Sequence, residues 1–302
     1  MIRVIGVGDN VIDRYMHTGM MYPGGNSLNF SVYAKQLGHQ AAYMGVIADD
    51  HYAKVITKPL RELRIDTSYC EFVHGETGLS TTTIENGDRT ITDNNDYGAV
   101  KAMPLQLTEG RLNYIATFDV AHSSCYSFIE DQLHLIKERG VPLVYDFSDH
   151  WEEKDFEALC PDIGIAFFSG KKLPDADLRR LLKKAVDLGS ELAVTTIGRR
   201  GAILFNGQKY YQSAPYNLDA EVVDTLGAGD SFLTGFLTTY IEGRKRFGAC
   251  ASAGAGDANR HTTRYDRQRY EDGLMEYAMQ AGNLLALNNC MFFGAFGHGV
   301  RM

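Results

Sequence analysis

Short apolar runs alternate with stretches of helical period along almost the whole chain, and few architectures accept that order. "RVIGVG" reads as a buried strand, "NSLNFSVYAKQLG" as a helix ending at Gly38, "QAAYMGVI" as a strand and "HYAKVITKPLRELRI" as a second helix. The rhythm resumes in "VAHSS", "PLVYDFS", "IGIAFFS", "ELAVTTIG" and "AILFNGQKYYQ", each short enough to be a strand buried on both faces. The expectation is an α/β, doubly wound domain covering residues 1–302, with a mainly parallel sheet and helices on both faces. Between about 68 and 97 the pattern changes to "YCEFVHG" and "LSTTTIENGDRTIT", with Asn86-Gly87 as a hairpin turn, which predicts a small antiparallel β lid inserted in that domain. Only the charged, Tyr/Arg-rich stretch from Gly256 to about Asp272 reads as a linker.

Composition narrows the classes of function. At 302 residues and 44% hydrophobic, the chain is long enough for a large core and too well mixed to be disordered. A formal net charge of -8 argues against an extended nucleic-acid footprint and leaves room for a local basic cleft around a phosphorylated ligand. The five cysteines lie far apart without a C-x-x-C pair, which suggests neither a zinc site nor a disulfide framework and fits a reducing cytoplasm. No apolar run reaches the roughly 20 residues that span a membrane, and "MIRVIGVGDN" turns polar too soon for a signal peptide. A soluble, cytoplasmic protein acting on small molecules is expected.

"DTLGAGDSFLTGF" places small residues and an aspartate in front of a helical apolar face formed by Phe232, Leu233, Phe236, Leu237, Tyr240 and Ile241. The helix is expected to start at about Ser231, with Gly227, Ala228 and Gly229 as its approach. Small residues there let backbone N–H groups reach an anion, and the helix dipole adds attraction. A carboxylate at Asp230 is then placed to act as a base beside an incoming phosphoryl group, although an aspartate at a Gly-rich helix start also serves as an ordinary N-cap. The tetrapeptide GAGD recurs from Gly254 to Asp257, where Asn, Arg, His and Thr follow and give no apolar face; it reads as a surface-loop coincidence.

Two further stretches favour a site. "YPGGNSLNF" sets Gly24-Gly25 before a helix that carries Asn26 and Asn29 one turn apart, suited to holding the hydroxyls of a polar ligand. "GDNVID" puts Asp9 and Asp13 just past the first strand, where open α/β sheets bind ligands. In this order, the di-glycine near the N-terminus and the D-T-x-G-A-G-D near the C-terminus resemble the PfkB (ribokinase-like) family of sugar kinases over essentially the whole chain.

That resemblance implies a ribokinase-like fold and an ATP-dependent transfer of the γ-phosphoryl group to a hydroxymethyl group of a sugar or sugar-amine conjugate. It implies Asp230 as the catalytic base and the amides of Gly227, Ala228 and Gly229 as the anion hole. Asp9, Asp13, Gly25, Asn26 and Asn29 fall on the sugar side. Thr196, Gly198 and Gly201 of "TTIGRRG" match the family's T-x-G-x-x-G nucleotide stretch, and Asn283, eleven residues before Gly294-Ala295, matches an adenine-side asparagine. Asp224 would face a monovalent cation such as K+, ATP would arrive with Mg2+, and the β lid would close over the sugar and pair two copies into a homodimer.

The sequence departs from the family at N-x-x-E, whose glutamate helps to place Mg2+: Ser169 and Lys172 stand there in "FFSGKKL". Fructosamine kinases of the family share that departure and resemble this chain in "GDN" followed by Asp, in "GGN" and in "DFSDHW" from Asp146 to Trp151, which implies site-lining residues in that loop. Ribose, fructose or a nucleoside as acceptor, or a catalytically weak sugar-binding role, are the alternatives. "GVGDNV" lacks the third glycine of a dinucleotide fingerprint, and none of the nine histidines pairs at metal-ligand spacing. His122 at a strand end and His298 in "GAFGHG" are candidates of lower rank, and Arg199-Arg200 reads as an exposed turn.

Overall fold

The computed structural model describes residues 1–85, 88–216, 222–254 and 264–302. The chain opens with β1 (Arg3–Val7), β2 (Val11–Tyr15), β3 (Met20–Gly24), α1 (Asn26–Gln36), β4 (Gln40–Met44), β5 (Val46–Ala48) and α2 (Ala53–Glu62). Then come β6 (Glu71–Val73), β7 (Leu79–Glu85), β8 (Asp88–Asn94), α3 (Ala99–Ala102), α4 (Glu109–Ile115), β9 (Val120–Ser124), α5 (Leu133–Glu138) and β10 (Leu143–Asp146). It closes with α6 (Glu153–Leu159), β11 (Ile165–Ser169), α7 (Asp175–Asp187), β12 (Leu192–Thr196), β13 (Ala202–Phe205), β14 (Tyr210–Ser213), α8 (Ala228–Gly254), α9 (Arg264–Asn289) and β15 (Val300–Arg301).

Eight strands form the central sheet in the order β14-β13-β12-β11-β10-β9-β1-β4, parallel from β4 to β12 and antiparallel at β13 and β14. Neighbouring residues in each strand serve opposite faces. Ile5, Ala121, Tyr145 and Phe168 pack under α4 to α7, while Val4, Val120, Val144 and Phe167 pack under α1, α8 and α9. Both faces being covered explains why the strands read as unbroken apolar runs. Each large aliphatic or aromatic chain buried this way contributes about 1.5–3 kcal/mol. The strand order reverses between β1 and β9, because the chain adds β4 on one side of β1 and returns to the other. That switch point is where open α/β sheets bind ligands.

A second, smaller sheet has the order β15-β3-β2-β7-β8 and is antiparallel except for the β2–β7 pair. It draws on more of the chain than the stretch from 68 to 97. Val11–Tyr15 and Met20–Gly24, which the sequence reading passed over between the first strand and first helix, form its middle. Within that stretch β6 pairs with β5 in a separate two-stranded sheet. "AILFNGQKYYQ" is two antiparallel strands joined through Gly207 at φ 85, since an Asn-Gly turn supplies the left-handed backbone of a hairpin. The linker-like stretch is helical from Arg264 onward as part of α9, and its earlier part lies outside the described residues. Asn86-Gly87 and, of the second GAGD, all but Gly254 also lie outside them.

Two buried positions show what the packing demands. Gly25 has φ 110, and a Cβ there would lie 2.6 Å from Asn10 Cα, whereas Gly19 at φ 65 has open space around it. Gly25→Ala is therefore expected to cost about 2–4 kcal/mol in denaturant unfolding and Gly19→Ala only about 1 kcal/mol. His122 on β9 is stacked on Phe30 of α1 at 4.8 Å, and neither ring nitrogen has a partner among the described residues. Burial pushes it down to about 3 from the ordinary 6.5. The fold holds the ring neutral while the unfolded chain binds a proton below about pH 6.5, so this contribution is whole above that pH and drains away toward about pH 3. Replacing His122 with Leu is expected to shrink the stability lost between pH 7 and pH 4 by about 3 kcal/mol, read from guanidinium titrations at the two pH values.

Candidate active site

The N-terminus of α1 is built by the glycine before it and by a residue just past the first strand. Gly25 turns the chain in left-handed backbone, and no side chain of α1 caps its own start. Asp9, just past β1, supplies the cap. Its Oδ2 accepts the amide of Asn26 at 2.5 Å, and its Oδ1 accepts the amide of Ser27 at 3.1 Å together with the hydroxyls of Ser124 at 2.9 Å and Ser127 at 3.2 Å. Two first-turn amides and the positive helix end thus meet one carboxylate. Asp9, expected on the sugar side, spends its carboxylate on this helix start.

So placed, α1 reaches two acidic side chains. Asn26 Nδ2 donates to Asp146 Oδ2 at 3.1 Å, and one turn later Asn29 Nδ2 donates to Asp230 Oδ2 at 2.6 Å. Asn29 Oδ1 is buried without a partner among the described residues. Asp146 ends β10, and its Oδ1 accepts the amide of Ser148 at 2.7 Å, with Ser148 held at φ 54. Burial, and next the charge of Asp230, hold the Asp146 carboxyl well above the usual carboxylate range. Of "DFSDHW", then, Asp146 stands in the site, while Trp151 packs edge-on against Phe156 and Phe168 in the core.

Asp230 lies in the first turn of α8, which begins at Ala228, three residues before the expected start. Its first i to i−4 bond is from the amide of Ser231 to Gly227 O at 2.8 Å. Apolar periodicity cannot show a first turn made of Ala, Gly and Asp. The amide of Ala228 donates to Thr225 O at 3.2 Å, so it is engaged within the turn. Among the described residues the amides of Gly227 and Gly229 have no acceptor, and the space where a Gly229 side chain would stand is open. An anion arriving there meets two amides and a helix dipole.

Asp224 ties the preceding loop to its surroundings. Oδ1 accepts the amide of Leu226 at 3.0 Å, and Oδ2 accepts the hydroxyl of Tyr15 at 2.5 Å and the amide of Gly294 at 2.9 Å. Asp13 lies on β2, buried, paired with Tyr22 of β3; its side chain reaches along the ladder to Gly24, where a Cβ would lie 2.5 Å from Asp13 Oδ2. Asp13 and the di-glycine therefore meet at the entrance to α1. Among the described residues no three His, Cys, Asp or Glu side chains are grouped to hold a metal ion.

The residues expected on the nucleotide side converge elsewhere, beyond the end of β12. Thr196 ends that strand, and its carbonyl accepts the amide of Gly170 at 2.9 Å. Gly198 and Gly201 have φ 59 and 91, and a Cβ on Gly201 would lie 1.9 Å from Ser213 O. Asn283 on α9 donates to Ser213 Oγ at 2.7 Å and to Ala214 O at 2.9 Å. The glycine turn and Asn283 are thus brought to the same end of β14. Arg200 pairs with Asp175 at 2.5 Å, a surface role, and His298 lies 3.7 Å from Glu62 on α2. Sequence reasoning gave no such role to Ser124 and Ser127, which hold Asp9, or to Tyr15 and Gly294, which hold Asp224; the serines ending "VAHSS" in β9 were the visible signal.

Comparison with known proteins accords with this arrangement. The profile of the pfkB family carbohydrate kinases matches residues 1–258. The chain is 33% identical over 299 residues to fructosamine kinase FrlD of Bacillus subtilis, covering 99% of this chain and 94% of that protein. It is 30% identical over 237 residues to fructoselysine 6-kinase of Escherichia coli, covering 78% and 88%. Among solved structures, ribokinase from Giardia lamblia superposes with a TM-score of 0.77 at 16% identity over 100% of this chain and 97% of that one. Fructokinase with bound ATP from Xylella fastidiosa does so with 0.77 at 12% identity over 98% and 94%. The structural likenesses speak for a ribokinase-like fold. The family profile and the near full-length relatives speak for the chemistry, and with D-T-x-G-A-G-D on the first turn of α8 beside an asparagine-bearing α1, the chain belongs to the pfkB family of carbohydrate kinases, phosphotransferases whose acceptor is a sugar hydroxyl.

Proposed function

We propose that this protein is an ATP-dependent kinase that phosphorylates a hydroxymethyl group of a fructosamine, a sugar bearing an amino-acid amine. The observation that carries the reading is Asp230: buried, in the first turn of α8, with its carboxylate held by Asn29. The near full-length likeness to fructosamine kinase FrlD supports the substrate class.

In this reading Asp230 takes the proton of the acceptor hydroxyl as its oxygen bonds to phosphorus and the bond to the ADP oxygen breaks. Asn29 fixes the orientation of that carboxylate, and its unpartnered Oδ1 accepts from a second hydroxyl of the sugar. Asp13 and the Gly25 backbone complete the sugar side, with Asp9 and Asn26 acting through the placement of α1 and Asp146. The amides of Gly227 and Gly229, with the positive end of α8, receive the transferred phosphoryl group, and Ala228 contributes through its turn. Thr196, Gly198, Gly201 and Asn283 line the nucleotide side. ATP supplies the phosphoryl group, and Mg2+ arriving with it would supply charge neutralisation, with Ser169 and Lys172 standing where the family's glutamate motif falls. Asp224, with three donors on its carboxylate, would act on a monovalent cation only through its loop. Pairing of two copies through the lid, whose outer strand is β8, and a cytoplasmic setting where ATP is plentiful complete the proposal.

Asp230→Asn is expected to lower kcat by 10²- to 10⁴-fold, about 3 to 5 kcal/mol in the barrier, with melting temperature and sugar affinity close to wild type. Retention of more than a tenth of wild-type kcat would remove Asp230 from the role, as would an equal loss in Asp257→Asn. In side-by-side assays at one ATP and Mg2+ concentration, a fructosamine should exceed fructose and ribose in kcat/KM by at least about tenfold, because site groups built for the amine stay unpaired with a plain hexose. If ribose, fructose or a nucleoside is turned over best, the acceptor class changes and the kinase assignment stands.

A further inference from the structure

Asp146 raises a question that phosphoryl transfer to a neutral sugar does not answer. It is 3% exposed, and two donors hold it, Asn26 Nδ2 and the Ser148 amide, where an ionised carboxylate has room for about four. Among the described residues no Lys or Arg nitrogen lies within ion-pair distance of it, or of the neighbouring Asp9. Asp230, which serves as base only when ionised, is close enough to act on Asp146 through its charge. A buried carboxylate beside a second one is costly without a cation. The backbone is nonetheless bent to keep it there, since Ser148 adopts left-handed φ 54 while donating its amide to Asp146.

From Ser148, whose amide holds Asp146, a run of aromatic side chains leads outward. Ser148 Oγ and the Tyr126 hydroxyl are hydrogen bonded at 2.9 Å. Tyr126 stacks on Tyr97 with centroids 5.5 Å apart and planes 23° apart, and His150 approaches the edge of Tyr126 at 6.2 Å. Tyr126 is half-buried and Tyr97 is 36% exposed, so the stack runs from the Ser148 hydroxyl, two residues beyond the buried carboxylate, to solvent. Tyr97 also has positive φ, at 66°. A carboxylate with aromatic rings farther along the same path is chemistry that suits an alkylammonium group and the chain attached to it.

We propose that Asp146 is a specificity-determining residue that pairs with the protonated amine of the substrate, and that the Tyr126–Tyr97 stack flanks the chain attached to that amine. This rests on the fructosamine reading. A secondary ammonium group completes the coordination of Asp146 and offsets the repulsion from Asp230, so the substrate itself supplies the cation that the site's own residues do not. Fructose brings no such charge.

The test compares three acceptors at one pH, ATP and Mg2+ concentration: a fructosamine, the same compound with its nitrogen acylated and therefore uncharged, and fructose. With wild-type protein, acylation is expected to lower kcat/KM by at least about tenfold, mostly through KM. In Asp146→Asn the ratio between amine and acylated compound is expected to collapse to within about threefold. Less than a threefold effect of acylation on the wild type overturns the proposal, and this arm needs no variant to fold. A folded Asp146→Asn, checked by thermal melting and ATP binding, that keeps the full wild-type ratio overturns the role of Asp146 and leaves the fructosamine reading intact. A wild type that prefers fructose to every fructosamine overturns both together.

Discussion

The site depends on a single long-range interaction, the carboxylate of Asp9 on the first turn of α1. Two backbone amides and two serine hydroxyls converge on that one group. The serines belong to β9 and its following turn, so the bond joins the two strands on either side of the switch point to the helix above them. Everything that α1 carries inherits its position. Asn26 and Asn29 differ by one turn, and that spacing sets how Asp146 and Asp230 stand relative to each other. A small rotation of the helix would displace the amide donors of both carboxylates together.

A second junction gathers the glycine loop before α8. Through Asp224 the loop before α8 is fastened to Tyr15 of the small sheet and to Gly294 near the end of the chain. Asn289 at the end of α9 adds to it, donating to Leu226 O at 2.6 Å and accepting from the hydroxyl of Tyr33 on α1. Gly227 is crowded from the same side, since a Cβ would meet Tyr33 and Ala295. The two halves of the site therefore share α1 as a common wall: its start holds the carboxylates, and its later turn braces the glycine loop.

How much of this could be read from the sequence follows from the range of the forces involved. Central strands buried on both faces leave long apolar runs, and those were legible. β2 and β3 were not, because "VIDRYMHTGMMYPGG" interleaves Asp13, Arg14 and His17 with its apolar residues, and its weak alternation ends in a Thr18-Gly19 turn that is easily taken for a loop. Within the site, the glycines and the two asparagines announce themselves by local chemistry. The same cannot be said of Asp9, whose four donors come from residues distant in sequence, and which therefore looks like a ligand when read alone. Asp146 was visible only as part of a resemblance; the neighbour that gives it chemical meaning, Asp230, is joined to it by the fold and not by spacing.

The bond between Tyr15 and Asp224 also locates where the small sheet can bend. Tyr15 is the last residue of β2, and Asp224 is 4% exposed. Motion that pulled Tyr15 away would strip a donor from a buried carboxylate, at about 1–3 kcal/mol. A hinge that spares this bond has to lie farther out, so that β7 and β8 swing while β2 and β3 stay with the body of the protein. Asp13, two residues before Tyr15, would then keep its place against Gly24 at the start of α1 however the outer strands move.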